Sequence, residues 1–208
     1  MIRYAITSRA LYPGSEQEKQ AALLAEASGW IADHIDFIQL REKDLPAGSL
    51  TTIARKLLQT INLTASPTRL LINSRPDIAL ATNAHGVHLS SSPDELTATQ
   101  VRDLYSSTSQ PPALITTSCH TLDDVQRAAR IHHVDAILFA PIFEKPLPNQ
   151  QRLPGQGLDQ LRAACLAATP TPVYALGGVT LENAPSCLEA GAAGIAGIRL
   201  FQCLYRSH

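Results

Sequence analysis

Short apolar runs alternate along this chain with longer stretches in which apolar residues recur every three or four positions. The first pattern is that of buried strands and the second that of amphipathic helices. Their regular alternation is the mark of βα units around a parallel sheet. The runs predict eight strands: Ile2–Thr7, Asp36–Arg41, Arg69–Asn73, Gly86–Leu89, Leu114–Cys119, Asp135–Ala140, Pro172–Gly177 and Gly194–Ile198. Helices are expected between them over Glu16–Ala32, Ser49–Ile61, Pro76–Thr82, Asp94–Tyr105, Leu122–His132, Leu158–Ala168 and Leu181–Ala190, with a short last one over Leu200–Arg206. Thr121 and Thr180 stand where N-caps belong, and Gly191 where a helix would stop.

Eight such units predict an α/β fold of the (β/α)8 TIM-barrel type, a single domain over residues 1–208. An open doubly wound sheet is the competing arrangement. Its dinucleotide site needs a glycine-rich turn after the first strand, and Ser8-Arg9-Ala10 has no glycine. Two Pro/Ser-rich stretches, Ser106–Ala113 and Pro141–Gly157, read as connections. The second is long for a βα loop and is a candidate lid.

Charge narrows the function. Lys and Arg total 17 against 18 Asp and Glu, a net charge of -1, so no basic field awaits nucleic acid or an anionic membrane. No apolar run approaches the roughly 20 residues of a membrane span. The chain enters an apolar run at Met1-Ile2-Arg3-Tyr4-Ala5-Ile6 without a basic leader, and a cytoplasmic protein is expected. Cys119, Cys165, Cys187 and Cys203 are scattered without CxxC spacing and read as buried free thiols. Cys119 draws notice because it precedes His120.

In barrels of this kind chemistry sits at the C-terminal ends of the strands. The polar residues there are Gln39, Arg41 and Lys43, then Asn73 and Arg75, His88 and Ser90, Ser118 and His120, and Glu144 and Lys145. Gly177, Gly178 and Gly197, with Ile198, follow the last two strands, where backbone N–H groups can approach a phosphate closely. Arg199 is either a further cation there or a surface arginine. Arg41 and Lys43 form an anion clamp unless Glu42 and Asp44 pair with them. His120 has the residue type suited to moving a proton in both directions near neutral pH.

Several of these segments recur together: Gln39–Asp44 (QLREKD), Leu71–Leu80 (LINSRPDIAL), Gly86–Leu89 (GVHL), Ser118–Thr121 (SCHT), Leu138–Phe143 (LFAPIF), Ala175–Val179 (ALGGV) and Ala190–Ile198 (AGAAGIAGI). In order and spacing the chain resembles the thiamine-phosphate synthase/TenI family from first strand to last. The synthase branch implies joining a hydroxymethylpyrimidine pyrophosphate to a thiazole phosphate, with Mg²⁺ and loss of pyrophosphate. The TenI branch implies a thiazole tautomerase that aromatises a thiazole carboxylate phosphate by moving a proton.

The departures fall on the pyrophosphate half. Ser74 follows Asn73 where the synthase pattern has an aspartate, Ser90-Ser91-Ser92-Pro93 replaces a Gly-Gln-Glu-Asp run, and Asp94 comes one place late. Phe143-Glu144-Lys145-Pro146 replaces a Thr-x-Thr-Lys loop. His88 and the QLREKD run are synthase-like. The expectation is a TenI-like thiazole tautomerase that needs no metal or cofactor. In it His120 shuttles the proton, Gly177, Gly178, Gly197 and Ile198 hold the phosphate, and Arg41 and Lys43 face the carboxylate. Gln39, Asn73, His88, Ser118 and Lys145 contact the substrate. The alternatives are a divergent thiamine-phosphate synthase using Mg²⁺ with Asp94, Glu144 and Lys145, and a non-catalytic thiazole or thiamine-phosphate binding protein. The resemblance also implies a homodimer.

Overall fold

The computed structural model describes residues 1–92, 94–131, 133–146 and 152–202 of the 208-residue chain. Eight parallel strands form a closed barrel: β1 (Ile2–Ile6), β2 (Phe37–Leu40), β3 (Arg69–Asn73), β4 (Gly86–Leu89), β5 (Leu114–Cys119), β6 (Ala136–Phe139), β7 (Val173–Leu176) and β8 (Gly194–Gly197). Each pairs with its sequence neighbour, and β1 pairs with β8 through Ile2 opposite Gly194 and Ala5 opposite Gly197. The helices outside are α1 (Glu16–Ala32), α2 (Ala47–Leu63), α3 (Pro76–Thr82), α4 (Ala98–Ser106), α5 (Leu122–Ile131), α6 (Gly157–Ala168) and α7 (Ala184–Glu189).

The strands are mostly apolar because both faces are covered. Tyr4, Ile6, Leu71, Leu138, Tyr174 and Ala196 point into the barrel. The alternate residues Ala5, Ile38, Leu70, Ile72, Val87 and Ile115 pack outward beneath the helices. At the N-terminal end the rings of Tyr4, Phe37 and Tyr174 meet with centroids 5.7 to 6.2 Å apart and plug the barrel. One layer higher the inward positions turn polar, with Gln39, Asn73, His88, Thr116 and Ser118. The sequence thus closes one end of the barrel and builds a polar mouth at the other.

Element ends differ from the sequence expectation where local chemistry decides them. The fourth helix starts at Ala98 rather than Asp94. Thr97 accepts the Gln100 N–H and the Gln100 side chain accepts the Thr97 N–H, a reciprocal cap that leaves residues 94–96 free to enter the mouth. The second helix starts at Ala47, directly after Pro46, and the seventh only at Ala184. Residues 145–146 and 152–153 pair as a short antiparallel ribbon within the stretch expected to be a plain connection. Residues 200–201 form a turn where a last helix was expected; residues 203–206 of that helix, Cys203 and His132 lie outside the described residues. Among the described residues no helix is long and apolar enough to cross a membrane.

Candidate active site

A cavity of about 470 Å³ opens at the C-terminal ends of the strands. Its wall brings together Gln39, Arg41, Lys43, Asn73, His88 and Ser118 from β2 to β5 and the residues just beyond them. His120, Gly177, Gly178, Gly197, Ile198 and Arg199 complete it. A second lobe of about 360 Å³ shares Lys43, Asn73 and Ser90 with the first and adds Ser74, Arg75, Asp94 and Glu95. The Lys145 side chain lies outside what is described, and Glu144 lines neither lobe.

The cations of the β2 loop are left for a ligand. Glu42 and Asp44 do not pair with Arg41 and Lys43. They are taken by Arg9, whose guanidinium donates to Glu42 at 3.1 Å and to both Asp44 oxygens at 2.7 Å. Arg9 also donates to Glu16 at 2.6 Å, and Thr7 Oγ1 donates to Glu42 at 2.7 Å. This cluster ties the ends of β1 and β2 together and pulls the Asp44 carboxyl down to about 2. Arg41 and Lys43 make no side-chain ion pair among the described residues.

Two polar chains line the interior. In one, Gln39 Nε2 donates to Asn73 Oδ1 (2.8 Å), Asn73 Nδ2 to Ser74 Oγ (3.0 Å), and Ser74 Oγ to Glu95 Oε2 (2.6 Å). Ser90 adds its N–H at 3.1 Å and its hydroxyl at 2.6 Å to the same carboxylate oxygen. The carboxylate only accepts, so it fixes the direction of the chain and leaves Gln39 Oε1 a buried acceptor with no partner among the described residues. Ser74 and Ser90, which the sequence presents as losses of acidic residues, are therefore the groups that hold a different acid, Glu95, in the second lobe. Ser74 takes a left-handed backbone, φ 56°, at the point where its hydroxyl turns to Glu95.

The second chain runs from Tyr4 through Thr116 and His88 to Ser118, each contact between 2.9 and 3.1 Å. Burial, helped by the charges of Arg41 and Lys43, pushes the His88 imidazole down to about 3, so the ring is neutral near pH 7. His120 is exposed at the rim, and its Nδ1 lies 2.8 Å from the Ala140 carbonyl oxygen. A carbonyl only accepts, so Nδ1 carries the proton and Nε2 of the neutral ring is the basic nitrogen. Cys119 faces away from the cavity into the outer core, and burial pushes its thiol up to about 12, an inert group despite its position beside His120.

The glycines after β7 have structural reasons of their own. Gly177 and Gly178 hold φ of 91° and 67°. A Cβ on the first would lie 2.7 Å from Pro141 Cα, and on the second 2.7 Å from Phe143 Cβ. Close packing against the loop after β6 demands glycine there, and the same backbone lines the cavity. Sequence reasoning missed Glu95, which sits in a loop without periodicity, and Arg9, which was read only as the lack of a glycine. Tyr4 and Thr116 were read only as members of their strands, not as partners.

A parallel barrel whose strand ends gather glycine turns and cations around a two-lobed cavity defines a TIM barrel with the layout of a small-molecule enzyme. The family model described as thiamine monophosphate synthase matches residues 4–201, and the chain belongs to this thiamine monophosphate synthase/TenI family. It is 39% identical over 159 residues to the thiamine-phosphate synthase of Albidiferax ferrireducens, 76% of this chain and 68% of that one. The thiamine-phosphate synthase of Mycolicibacterium vanbaalenii is 32% identical over 204 residues, 93% of this chain and 87% of its own. The solved thiamine phosphate pyrophosphorylase of Pyrococcus furiosus superposes with a TM-score of 0.73 at 25% identity, covering 95% of this chain and 85% of that one. Relatives named as synthases favour the transferase, the alternative of the sequence reading, over the tautomerase expected first.

Proposed function

We propose that the chain is a thiamine-phosphate synthase, a transferase that joins a hydroxymethylpyrimidine pyrophosphate to a thiazole phosphate and releases pyrophosphate. The two-lobed cavity carries this reading: a tautomerase needs room for one phosphate ester, whereas this mouth continues past Lys43 and Asn73 into a second lobe that carries Ser74, Arg75, Asp94 and Glu95. Gly177, Gly178, Gly197 and Ile198 bind the thiazole phosphate through backbone N–H groups. Arg41 and Lys43 face the pyrophosphate and stabilise the negative charge that gathers on it as the carbon–oxygen bond breaks, while Arg75 lines the second lobe paired with Asp77 at 2.6 and 2.8 Å.

Mg²⁺, which the family implies, fits the second lobe. Among the described residues no three His, Cys, Asp or Glu side chains converge. Mg²⁺ asks less than that, taking one or two carboxylates and completing its shell with phosphate oxygens and water. Glu95 Oε2 accepts three hydrogen bonds while Oε1 accepts none among the described residues, and Asp94 lines the same lobe. Asp94 and Glu95 would hold the ion, which when bound offsets the charge of the pyrophosphate.

Thiazole tautomerase remains the second reading, favoured by the basic Nε2 of His120 at the cavity rim. Calorimetric titration separates the two. The synthase binds thiazole phosphate and, with Mg²⁺, the pyrimidine pyrophosphate; binding of the thiazole phosphate alone would return the tautomerase to first place.

A further inference from the structure

The chain from Tyr4 to Ser118 has a direction. Tyr4 Oη lies 3.1 Å from Thr116 Oγ1, Thr116 Oγ1 lies 2.9 Å from His88 Nδ1, and His88 Nε2 lies 2.9 Å from Ser118 Oγ. Tyr4, Thr116 and His88 are 0%, 2% and 3% exposed, and Ser118 at the outer end lines the cavity. Suppose Ser118 donated to His88. The neutral ring would then carry its proton on Nδ1 and donate to Thr116. Whether Thr116 then donated to Tyr4 or accepted from it as well, one of the two hydroxyl protons would be left buried with no acceptor among the described residues, a defect that folded proteins avoid. In the opposite sense every proton is placed: Tyr4 donates to Thr116, Thr116 to Nδ1, and Nε2–H to Ser118. The Ser118 proton is then free to point into the cavity.

We infer that Tyr4, Thr116 and His88 form a one-way hydrogen-bond relay that presents the Ser118 hydroxyl to the cavity as a donor, so that the site selects a ligand with an unprotonated ring nitrogen or carbonyl oxygen at that point. The relay residues are positioning residues; none but Ser118 needs to touch the ligand. His88 is suited to the task because burial keeps it neutral, with one nitrogen donating and the other accepting. The direction of the relay depends on no assignment of the reaction. The heteroaromatic character of the ligand rests on the function proposed above.

Nitrogen-15 NMR of histidine-labelled protein reads the direction, with the His88 signals assigned by their loss in His88→Asn. The relay predicts the Nε2–H tautomer at neutral pH; an Nδ1–H tautomer or a charged ring overturns it. In Tyr4→Phe/Thr116→Val, which removes both inner hydroxyls and leaves neither orphaned, the Nδ1–H form should rise to a share comparable with the other. A tautomer unchanged in that variant would show that the relay does not set it. The ligand half is tested with the aminopyrimidine alcohol and its two analogues in which one ring nitrogen is replaced by C–H. One analogue should bind the native protein about tenfold more weakly, a loss absent in Ser118→Ala. Equal losses in both proteins overturn the ligand half. If the aminopyrimidine itself fails to bind, the proposed function falls while the tautomer result stands.

Discussion

His88 is a base kept from protonation by its surroundings, and this makes the stability of the barrel depend on pH. An unfolded histidine protonates near 6.5, whereas burial holds this one down to about 3. Between those values the unfolded chain binds a proton that the folded chain refuses. The stabilisation is therefore complete above 6.5 and is lost as pH falls, at up to about 1.4 kcal/mol per pH unit. Urea unfolding at neutral pH and at about pH 5 should show a decline that His88→Asn reduces. At the rim, His120 separates the two reactions. His120→Ala should abolish a tautomerase, for which positioned acid–base catalysis supplies about 10²–10⁴-fold, and should change synthase turnover far less. Assays of both reactions on the same variant check this directly.

Elements meet at the Arg9 cluster, and its role is to hold the β2 loop in place. Arg9 and Glu42 are 7% and 5% exposed, so removing the cation strands a buried carboxylate. Arg9→Met should cost about 3 kcal/mol of unfolding free energy and raise the KM for the pyrophosphate substrate by loosening the loop that carries Arg41 and Lys43. Denaturant unfolding and steady-state kinetics give the two readouts. The turn after β7 sets a second constraint. Gly178→Ala would place a methyl group 2.7 Å from Phe143 Cβ and 2.9 Å from the carbonyl oxygens of Phe143 and Glu144, at a φ of 67°. A loss of about 1–3 kcal/mol is expected, seen as a lower Tm.

How far such elements were legible follows from their physics. Strands buried on both faces announce themselves as apolar runs, and β3, β4 and β5 begin and end where the sequence placed them. Helix starts that depend on a reciprocal cap, such as Thr97 with Gln100, shift by several residues when an acidic residue upstream resembles a first turn. The ribbon of residues 145–146 and 152–153 is two residues a side, too short for any alternation to register. Inward-facing residues at strand ends were found because the barrel fixes where strand ends point. Glu95 was not, since only the fold brings it to Ser74, 21 positions earlier.

For the whole molecule, the barrel's division into an aromatic plug, a polar middle and a two-lobed mouth puts the proposed reaction at one end. The sequence resemblance alone leaned toward the tautomerase, because it showed the lost aspartates and not Glu95, which Ser74 and Ser90 hold in the second lobe. The most direct measurement is single-turnover conversion of pyrimidine pyrophosphate and thiazole phosphate with Mg²⁺, following thiamine phosphate and pyrophosphate together. The account predicts both products in equal amounts, with the rate reduced by about 10²-fold or more in Glu95→Gln, as for the loss of a group that stabilises transition-state charge. Aromatisation of a thiazole carboxylate phosphate with no thiamine phosphate formed would contradict it.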